Sequence, residues 1–405
     1  MSSLVLTEHK VPHVSTIPAN DGEPVQLPVR EYDGTNGNNP RKPVLMLHGR
    51  SVPALPGFDL PPVPGGSPTR YSWAQELAGA GFDVFIMDIQ GSGRSPRPRM
   101  DDACNANPAQ QEQLLVPNPL PASCPPPYPH QLGNSESEEA ELHTVVQYIR
   151  GLPGRDKPVR FVGWSAGSLV MGPYTLKHPE DVESLFLLAP VFPPKGRWSE
   201  NPADPFGRPP GAQTLPVSAP PSMFGFPMHV ASKTGVKASL SSTPSLWEPG
   251  IEDHVWDACM QSDPVGSKWG PEEGPGDYEG VLRYRNTYWW GWNNQTVPYK
   301  DPGGTYVLGD RVPVAIVYGQ LDRTANSPAT FPDILRFSVP DLYTAVKGPK
   351  KLMFCLEGAG HSLVWETTAK TVHHVSRQWF KHGKAYGQDN GSFFRDLNGE
   401  LTPLP

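Results

Sequence analysis

The stretch Pro158-Val-Arg-Phe-Val-Gly163-Trp-Ser165-Ala-Gly167 decides the fold. An apolar run, typical of a strand buried on both faces, leads directly into the pattern Gly-x-Ser-x-Gly. The glycines let the backbones approach at a sharp strand-to-helix turn, which lifts the serine hydroxyl out of the sheet. The following helix offers free N–H groups to an oxyanion. The stretch therefore predicts Ser165 as a nucleophile.

Further strands and helices alternate around this turn. Apolar runs predict strands over residues 43–48, 82–88, 182–189, 312–318 and 351–356. Helices are predicted over residues 71–80, 135–150 and 364–380, and after Ser165 to His178; Ser135-Glu-Ser-Glu138 resembles a capping box. This alternation predicts an α/β fold with a mostly parallel central sheet and helices on both faces.

Three segments depart from the alternation. Residues 1–30 alternate weakly and predict an antiparallel hairpin, and the tail after Gly383 is expected to be extended over the surface. Residues 96–134 are rich in proline and predict a long irregular loop. Residues 192–308 interrupt the pattern, so we expect residues 1–191 and 309–405 to form the core and 192–308 to form an inserted, tryptophan-rich cap.

A serine hydroxyl needs a base to become a nucleophile. Among the 12 histidines, only His361 lies in a glycine-rich turn just after a late buried strand. His48 also lies near a strand end, but its setting, Leu-His-Gly-Arg, indicates an oxyanion loop. His373 and His374 lie in the last predicted helix and are expected to be solvated. The pattern predicts His361 as the base.

The base needs a carboxylate to hold its tautomer. Asp322 follows the strand that precedes the one leading to His361, and the chain order Ser, Asp, His is an order known for this constellation. Asp341 and Glu357 are the fallback acids.

The chain resembles the α/β-hydrolase superfamily. Several motifs carry the resemblance in the correct order: Leu47-His48-Gly49, Gly91-Ser-Gly93, the turn around Ser165, Gly319 to Asp322, and Gly360-His361. The resemblance implies an active site at the carboxyl ends of the strands, under a variable cap. It also implies that the backbone N–H groups of Arg50 and Ala166 form the oxyanion hole.

The cap region is dense in aromatic residues. Trp289 and Trp290, with Trp164 next to the nucleophile, are predicted to bind substrate, because aromatic rings supply large apolar contact. The other interpretation is that most of these rings form the core of the cap itself. Arg283 and Arg285 precede the cluster; a solvated or ion-paired role is favoured over binding of an anionic substrate.

These residues predict a serine hydrolase that cleaves a small-molecule carboxylic ester or lactone through an acyl-enzyme, on a bulky apolar or aromatic substrate. Amide, thioester or carbon–carbon hydrolysis stays open on the same triad, as does a non-catalytic binding protein of the same fold. Dehalogenases and epoxide hydrolases of the superfamily are disfavoured because they carry aspartate at the turn. No His-Glu-x-x-His or Cys-x-x-Cys motif is present, so neither a metal nor a cofactor is expected.

Composition narrows the partners. The 405 residues carry a net charge of -7 without a basic stripe, which argues against nucleic acid and anionic membranes. No run approaches the ~18 apolar residues of a membrane span, and no signal-peptide pattern is visible, so a cytoplasmic location is expected, with a secreted form whose signal was removed left open. Pairing of Cys104 with Cys124 and the oligomeric state, with a homodimer as one option, are also left open.

Overall fold

The computed structural model describes residues 4–35, 41–62, 70–217, 221–238, 242–328 and 332–405. Its strands are β1 (Val5–Val14), β2 (Pro24–Asp33), β3 (Pro43–Leu47), β4 (Asp83–Met87), β5 (Gly133–Asn134), β6 (Val159–Trp164), β7 (Val182–Leu188), β8 (Met228–Ala231), β9 (Glu272–Gly274), β10 (Asp277–Tyr278), β11 (Leu282–Arg285), β12 (Thr287–Tyr288), β13 (Val314–Gly319), β14 (Lys351–Leu356), β15 (Gly391–Arg395) and β16 (Leu401–Pro403). Its helices are α1 (Ala54–Phe58), α2 (Trp73–Gly79), α3 (Pro108–Leu114), α4 (Ser135–Gly151), α5 (Ser168–Lys177), α6 (Pro221–Phe224), α7 (Lys233–Ala238), α8 (Ile251–Gln261), α9 (Val339–Ala345) and α10 (Ala369–His382).

A ten-stranded sheet runs in the order β1-β2-β4-β3-β6-β7-β13-β14-β15-β16. The strands from β4 to β15 in this order pair parallel, whereas β1, β2 and β16 pair antiparallel at the two margins. The mostly parallel sheet predicted from the sequence is confirmed. The hairpin predicted for the first residues is present as β1 and β2.

Helices cover both faces of this sheet. Val44 and Met46 of β3 join one buried cluster, with side chains of α2 and α10. Leu45 and Leu47 join the other, with side chains of α4 and α5. Since successive side chains of a strand point to opposite faces, an unbroken apolar run is what a strand between two helical layers requires.

The tail after Gly383 differs from expectation. Instead of lying over the surface, it adds β15 parallel to β14 and then folds back as β16. This strand pairing depends on tertiary contacts, which the local sequence pattern does not indicate.

Helix α4 begins one residue earlier than its expected capping box. The N-cap is Asn134, whose side chain accepts a hydrogen bond from the Ser137 N–H at 3.0 Å, while Ser137 Oγ accepts from the Asn134 N–H at 3.0 Å. Glu138, expected to complete the box, instead binds Arg285. The Glu138 carboxylate therefore forms a buried ion pair and does not cap the helix.

Helix α10 also corrects an expectation. His373 is buried rather than solvated, and its ring stacks on Trp73 with the centroids 6.2 Å apart. Burial, helped by the charge of Arg377, lowers the pKa of His373 to about 3. The ring is therefore neutral and belongs to the core.

The segment between β7 and β13 adds no strand to the large sheet within the described residues. It forms small pairings of its own, β8 with β11 and β9 with β10. Strand β12 pairs parallel with β5, immediately before α4. The segment between β7 and β13 is therefore joined through its backbone to the residues just before α4.

A disulfide bond and the buried side-chain amide of Gln111 hold the proline-rich loop before α4 in place. Cys104 and Cys124 form a disulfide, with their Cα atoms 5.4 Å apart. Gln111, fully buried, donates to the carbonyls of both cysteines and accepts from the Cys124 N–H. Across the described residues, no helix is long and apolar enough to cross a membrane.

Candidate active site

Ser165 occupies the sharp turn between β6 and α5. Its φ is 53°, in the left-handed region that non-glycine residues rarely adopt. Gly167 makes the turn possible, because a Cβ there would come within 2.7 Å of the Leu47 carbonyl oxygen. The turn places Ser165 at the carboxyl end of the sheet, as its sequence motif predicts.

His361 contacts Ser165 directly. Its Nε2 lies 2.8 Å from Ser165 Oγ, within hydrogen-bond distance. His361 follows β14 in the loop that contains Gly358, where φ is 66°. On the other side of that loop, the Trp164 indole N–H donates to the His361 carbonyl at 3.3 Å.

Asp322 holds the opposite nitrogen of the same ring. Its two carboxylate oxygens lie 3.0 and 2.9 Å from His361 Nδ1. Asp322 is only 2% exposed, and its Oδ1 also accepts from the N–H groups of Thr324 and Ala325. These contacts fix the carboxylate so that Nδ1 carries the proton and Nε2 is free to accept one.

The loops after β13 and β14 pack closely against each other because Gly319 has no side chain. A Cβ on Gly319 would come within 2.3 Å of the carbonyl oxygens of Ala359 and Gly360. The fallback acids lie elsewhere: Asp341 is in the first turn of α9, and Glu357 accepts from the Leu397 N–H.

His48 lies near Ser165 in the fold but has a structural setting. Its side chain is fully buried, its Nδ1 lies 2.6 Å from the Gly49 carbonyl, and its Nε2 accepts from the Ile89 N–H at 3.4 Å. Burial and the nearby Arg285 charge lower the pKa of His48 to about 4. It is a neutral ring that shapes the loop after β3.

That loop reaches Ser165. A Cβ on Gly49 would lie 3.0 Å from Ser165 Cβ, so the two backbones come close. Arg50 and Ala166 line the same cavity as Ser165. The Ala166 N–H lies in the first turn after the nucleophile, where helical N–H groups lack intrahelical partners. The Arg50 carbonyl is held by Arg285 Nη1 at 3.3 Å.

The cavity has a volume of about 580 Å³. Its walls are largely apolar, and include Leu169, Val191, Phe224, Trp289, Trp290 and Phe337. Trp289 is fixed by its indole N–H, which donates to Glu138 Oε2 at 2.7 Å. Two of the three tryptophans predicted to bind substrate thus lie on the cavity wall.

The third, Trp164, is not among the described residues that line this cavity. It is 3% exposed and packs edge-on against Trp365, with the ring centroids 5.5 Å apart. Trp164 is the last residue of β6, and its side chain packs into the buried cluster on one face of the sheet. Ser165, in the turn that follows, lines the cavity. The indole supports the His361 loop.

Two buried acids near the site were not found from sequence. Glu138 joins α4 to the cavity wall, and Glu366 accepts from the Gly360 N–H at 3.0 Å, next to His361. Burial, together with the charge of Asp322, raises the pKa of Glu366. The capping-box spacing of Glu138 gave no sign of its contact with Trp289, which lies 151 residues away in the sequence, and Glu366 stands in no motif that was recognised.

Comparison with known proteins agrees with this geometry. The family model described as alpha/beta hydrolase fold matches residues 38–219, which include the turn at Ser165. Residues 38–219 of this chain therefore have the α/β-hydrolase fold. A search of curated protein sequences found no match.

Solved structures of this fold resemble the chain remotely. They include a thermophilic esterase from Thermogutta terrifontis (14% identity, 92% of this chain and 98% of that one, TM-score 0.48) and carboxylesterase CesB from Bacillus subtilis (12%, 93% and 93%, 0.47). A 2-hydroxy-6-oxo-6-phenylhexa-2,4-dienoate hydrolase from Rhodococcus is similar at 15% identity, 93% and 99% coverage, and TM-score 0.46. Similarity this low says nothing about the substrate of this protein.

Proposed function

We propose that this protein is a serine hydrolase that cleaves a carboxylic ester or lactone through an acyl-enzyme, on a substrate with a bulky apolar or aromatic part. The observation that carries the proposal is the unbroken contact from Ser165 Oγ through the His361 ring to Asp322, opening on an aromatic-lined cavity.

In the first step, Ser165 Oγ attacks the substrate carbonyl carbon while His361 Nε2 takes the hydroxyl proton. The negative charge that forms on the carbonyl oxygen is stabilised by the N–H groups of Arg50 and Ala166. One such donor is worth about 10²–10³ in kcat in a characterised serine hydrolase. Collapse of the intermediate breaks the carbon–oxygen bond, and His361 gives its proton to the leaving alcohol oxygen.

In the second step, water attacks the acyl-enzyme. His361 takes a proton from that water and then returns one to Ser165 Oγ, which releases the carboxylic acid. Asp322 stabilises the imidazolium in both steps and stays ionised. With a lactone, the leaving oxygen and the acid belong to the same product molecule.

The aromatic walls support the choice of substrate size. A cavity of about 580 Å³ is within the range of ~300–1,000 Å³ that holds drug-sized ligands. The fixed indole of Trp289 offers apolar surface with little conformational freedom left to lose.

The test is covalent labelling with a fluorophosphonate, followed by mass spectrometry of the modified peptide. We expect one label on Ser165 in the wild type, none in Ser165→Ala, and slow or no labelling in His361→Ala. Ser222→Ala is the matched control, because Ser222 lines the same cavity and should leave labelling unchanged. A folded wild-type protein that admits small esters but takes no label would refute the proposal and favour a binding protein.

A further inference from the structure

The cavity that contains Ser165 carries positive charge. Three arginines line it, Arg50, Arg197 and Arg323, and none of the described residues lining it is an aspartate or a glutamate. The chain as a whole is acidic, with a net charge of -7. Basic character is therefore concentrated where the substrate would bind.

Arg197 is held firmly in the cavity wall. Its carbonyl accepts from the Gly291 N–H at 2.9 Å and from Asn293 Nδ2 at 3.0 Å. Its guanidinium lies over the rings of Tyr288 and Phe224, 4.2 and 5.4 Å from their centroids. Among the described residues, no carboxylate forms an ion pair with it, and burial lowers the pKa of Arg197.

Arg50 has a similar setting. Its guanidinium lies 5.3 Å from the centroid of the Tyr284 ring and forms no ion pair with any described residue. The Arg50 side chain is exposed at the cavity that it lines, and desolvation by the surrounding protein lowers its pKa. The neighbouring His229 adds no charge, because burial and Arg50 lower its pKa to about 3.

Other buried arginines of the same region are neutralised. Arg283 pairs with Asp263, with Nη2 and Oδ1 2.6 Å apart, and Arg285 pairs with Glu138 at 2.6 Å. The fold thus supplies a carboxylate to each of these two guanidinium groups outside the cavity lining. An unpaired, partly desolvated cation is costly, and ring faces compensate only part of that cost.

We propose that the cavity binds esters whose apolar body carries an anionic group, and that Arg50 and Arg197 bind the oxygen atoms of that group. The proposal rests on the proposed hydrolase function and narrows its substrate class. A guanidinium presents donors in a planar fork that matches carboxylate oxygens, and the aromatic walls cover the apolar body. Arg323, exposed at the same cavity, adds to the field that attracts an anion.

The test compares two esters with the same acyl chain length and the same leaving group, neutral 4-nitrophenyl hexanoate and anionic mono-4-nitrophenyl adipate. We expect kcat/KM for the anionic ester to exceed that for the neutral one by about tenfold or more at low salt. The ratio should fall toward one in Arg197→Met and at high ionic strength. Arg208→Met is the control and should keep the wild-type ratio, since Arg208 pairs with Glu136 on the surface.

A wild-type ratio at or below one, or a ratio that neither Arg197→Met nor salt changes, would overturn the proposal. The salt series uses the wild-type protein, so the question is decided even if Arg197→Met does not fold.

A binding measurement separates this proposal from the hydrolase function. In Ser165→Ala, calorimetry should show 4-phenylbutyrate binding about tenfold tighter than neutral 4-phenylbutyramide, with the preference lost in Ser165→Ala/Arg197→Met. Equal binding, or no binding of the acid, would refute the anion site. If the preference is found while neither ester is cleaved by the wild type, the hydrolase proposal fails and the anion site stands.

Discussion

Glu138 on α4 and Arg285 on β11 form an ion pair, with Oε1 and Nε 2.6 Å apart and both side chains almost fully buried. Arg285 also donates to Ser92 Oγ and to the Arg50 carbonyl, and Glu138 accepts from the Trp289 indole. One pair therefore connects the inserted segment, the loop after β3 and the cavity wall.

Breaking this pair should be strongly destabilising. Glu138→Gln leaves the Arg285 cation buried without its anion, which typically costs about 3–5 kcal/mol. Chemical denaturation should show this loss in the free energy of unfolding. Glu136→Gln is the control on the same helix: Glu136 pairs with Arg208 at the surface, both about two-fifths exposed (41% and 42%), and its loss should cost at most about 1 kcal/mol. Similar losses in the two variants would contradict a special role for the buried pair.

Asp322→Asn should separate catalysis from folding. The amide oxygen can still accept from the Thr324 and Ala325 N–H groups, so the loop should keep its shape. The amide lacks the charge that stabilises the imidazolium and holds the tautomer, so kcat should fall by about 10³–10⁴.

Steady-state kinetics with a 4-nitrophenyl ester and a thermal melt would check both statements. Asp341→Asn is the control and should retain full activity, because Asp341 lies in the first turn of α9, away from the triad. If Asp322→Asn kept near wild-type turnover, a carboxylate other than that of Asp322 would have to orient His361.

His373 should make stability depend on pH. Its pKa is about 3 in the folded protein and returns to its ordinary 6.5 on unfolding. Between these two pKa values, the unfolded chain binds a proton on His373 and the folded protein does not. The contribution of neutral His373 to the free energy of unfolding is therefore complete above pH 6.5 and is lost as the pH falls toward 3. Between about pH 7 and pH 5 the loss from this group alone is about 2 kcal/mol.

His373→Phe keeps a ring against Trp73 but cannot be protonated. Between pH 7 and pH 5, its free energy of unfolding should therefore fall by about 2 kcal/mol less than that of the wild type. Urea unfolding at the two pH values measures the difference. His382→Gln, an exposed histidine at the end of the same helix, should leave the wild-type slope. An unchanged slope in His373→Phe would show that the ring is protonated without cost.

The Cys104–Cys124 bond should contribute to stability through the unfolded chain. It closes a loop with a sequence separation of 20, for which the chain-entropy relation gives about 3 kcal/mol. The double variant Cys104→Ser/Cys124→Ser should melt lower than the wild type. A reducing agent should lower the wild-type melting temperature and leave that of the double variant unchanged; equal melting temperatures for wild type and double variant would mean that the loop is held by Gln111 alone.

Local patterns were sufficient for the central parallel strands and for the positions of Ser165, Asp322 and His361 after three of them. Ser165 stands in a motif whose glycines are required by close backbone contacts, and His361 and Asp322 each follow a strand with an unbroken apolar run. Parallel strands bring their carboxyl ends to one edge, so residues placed after three such strands are expected to be near one another.

Features that depend on distant partners could not be predicted. Glu138 has the spacing of a capping residue, yet Arg285 recruits it from another element. His373 has the setting of a solvated helix residue until Trp73 covers it. Trp164 was expected near the substrate because it precedes Ser165, whereas its ring packs in the core against Trp365.

The last two strands of the sheet have a practical consequence. A protein shortened at Gly383 would expose the full length of β14, whose backbone donors and acceptors now pair with β15. An open, apolar edge of that kind is a template for association with other chains. Expression of shortened forms would therefore be expected to yield aggregates even though Ser165, Asp322 and His361 are all retained.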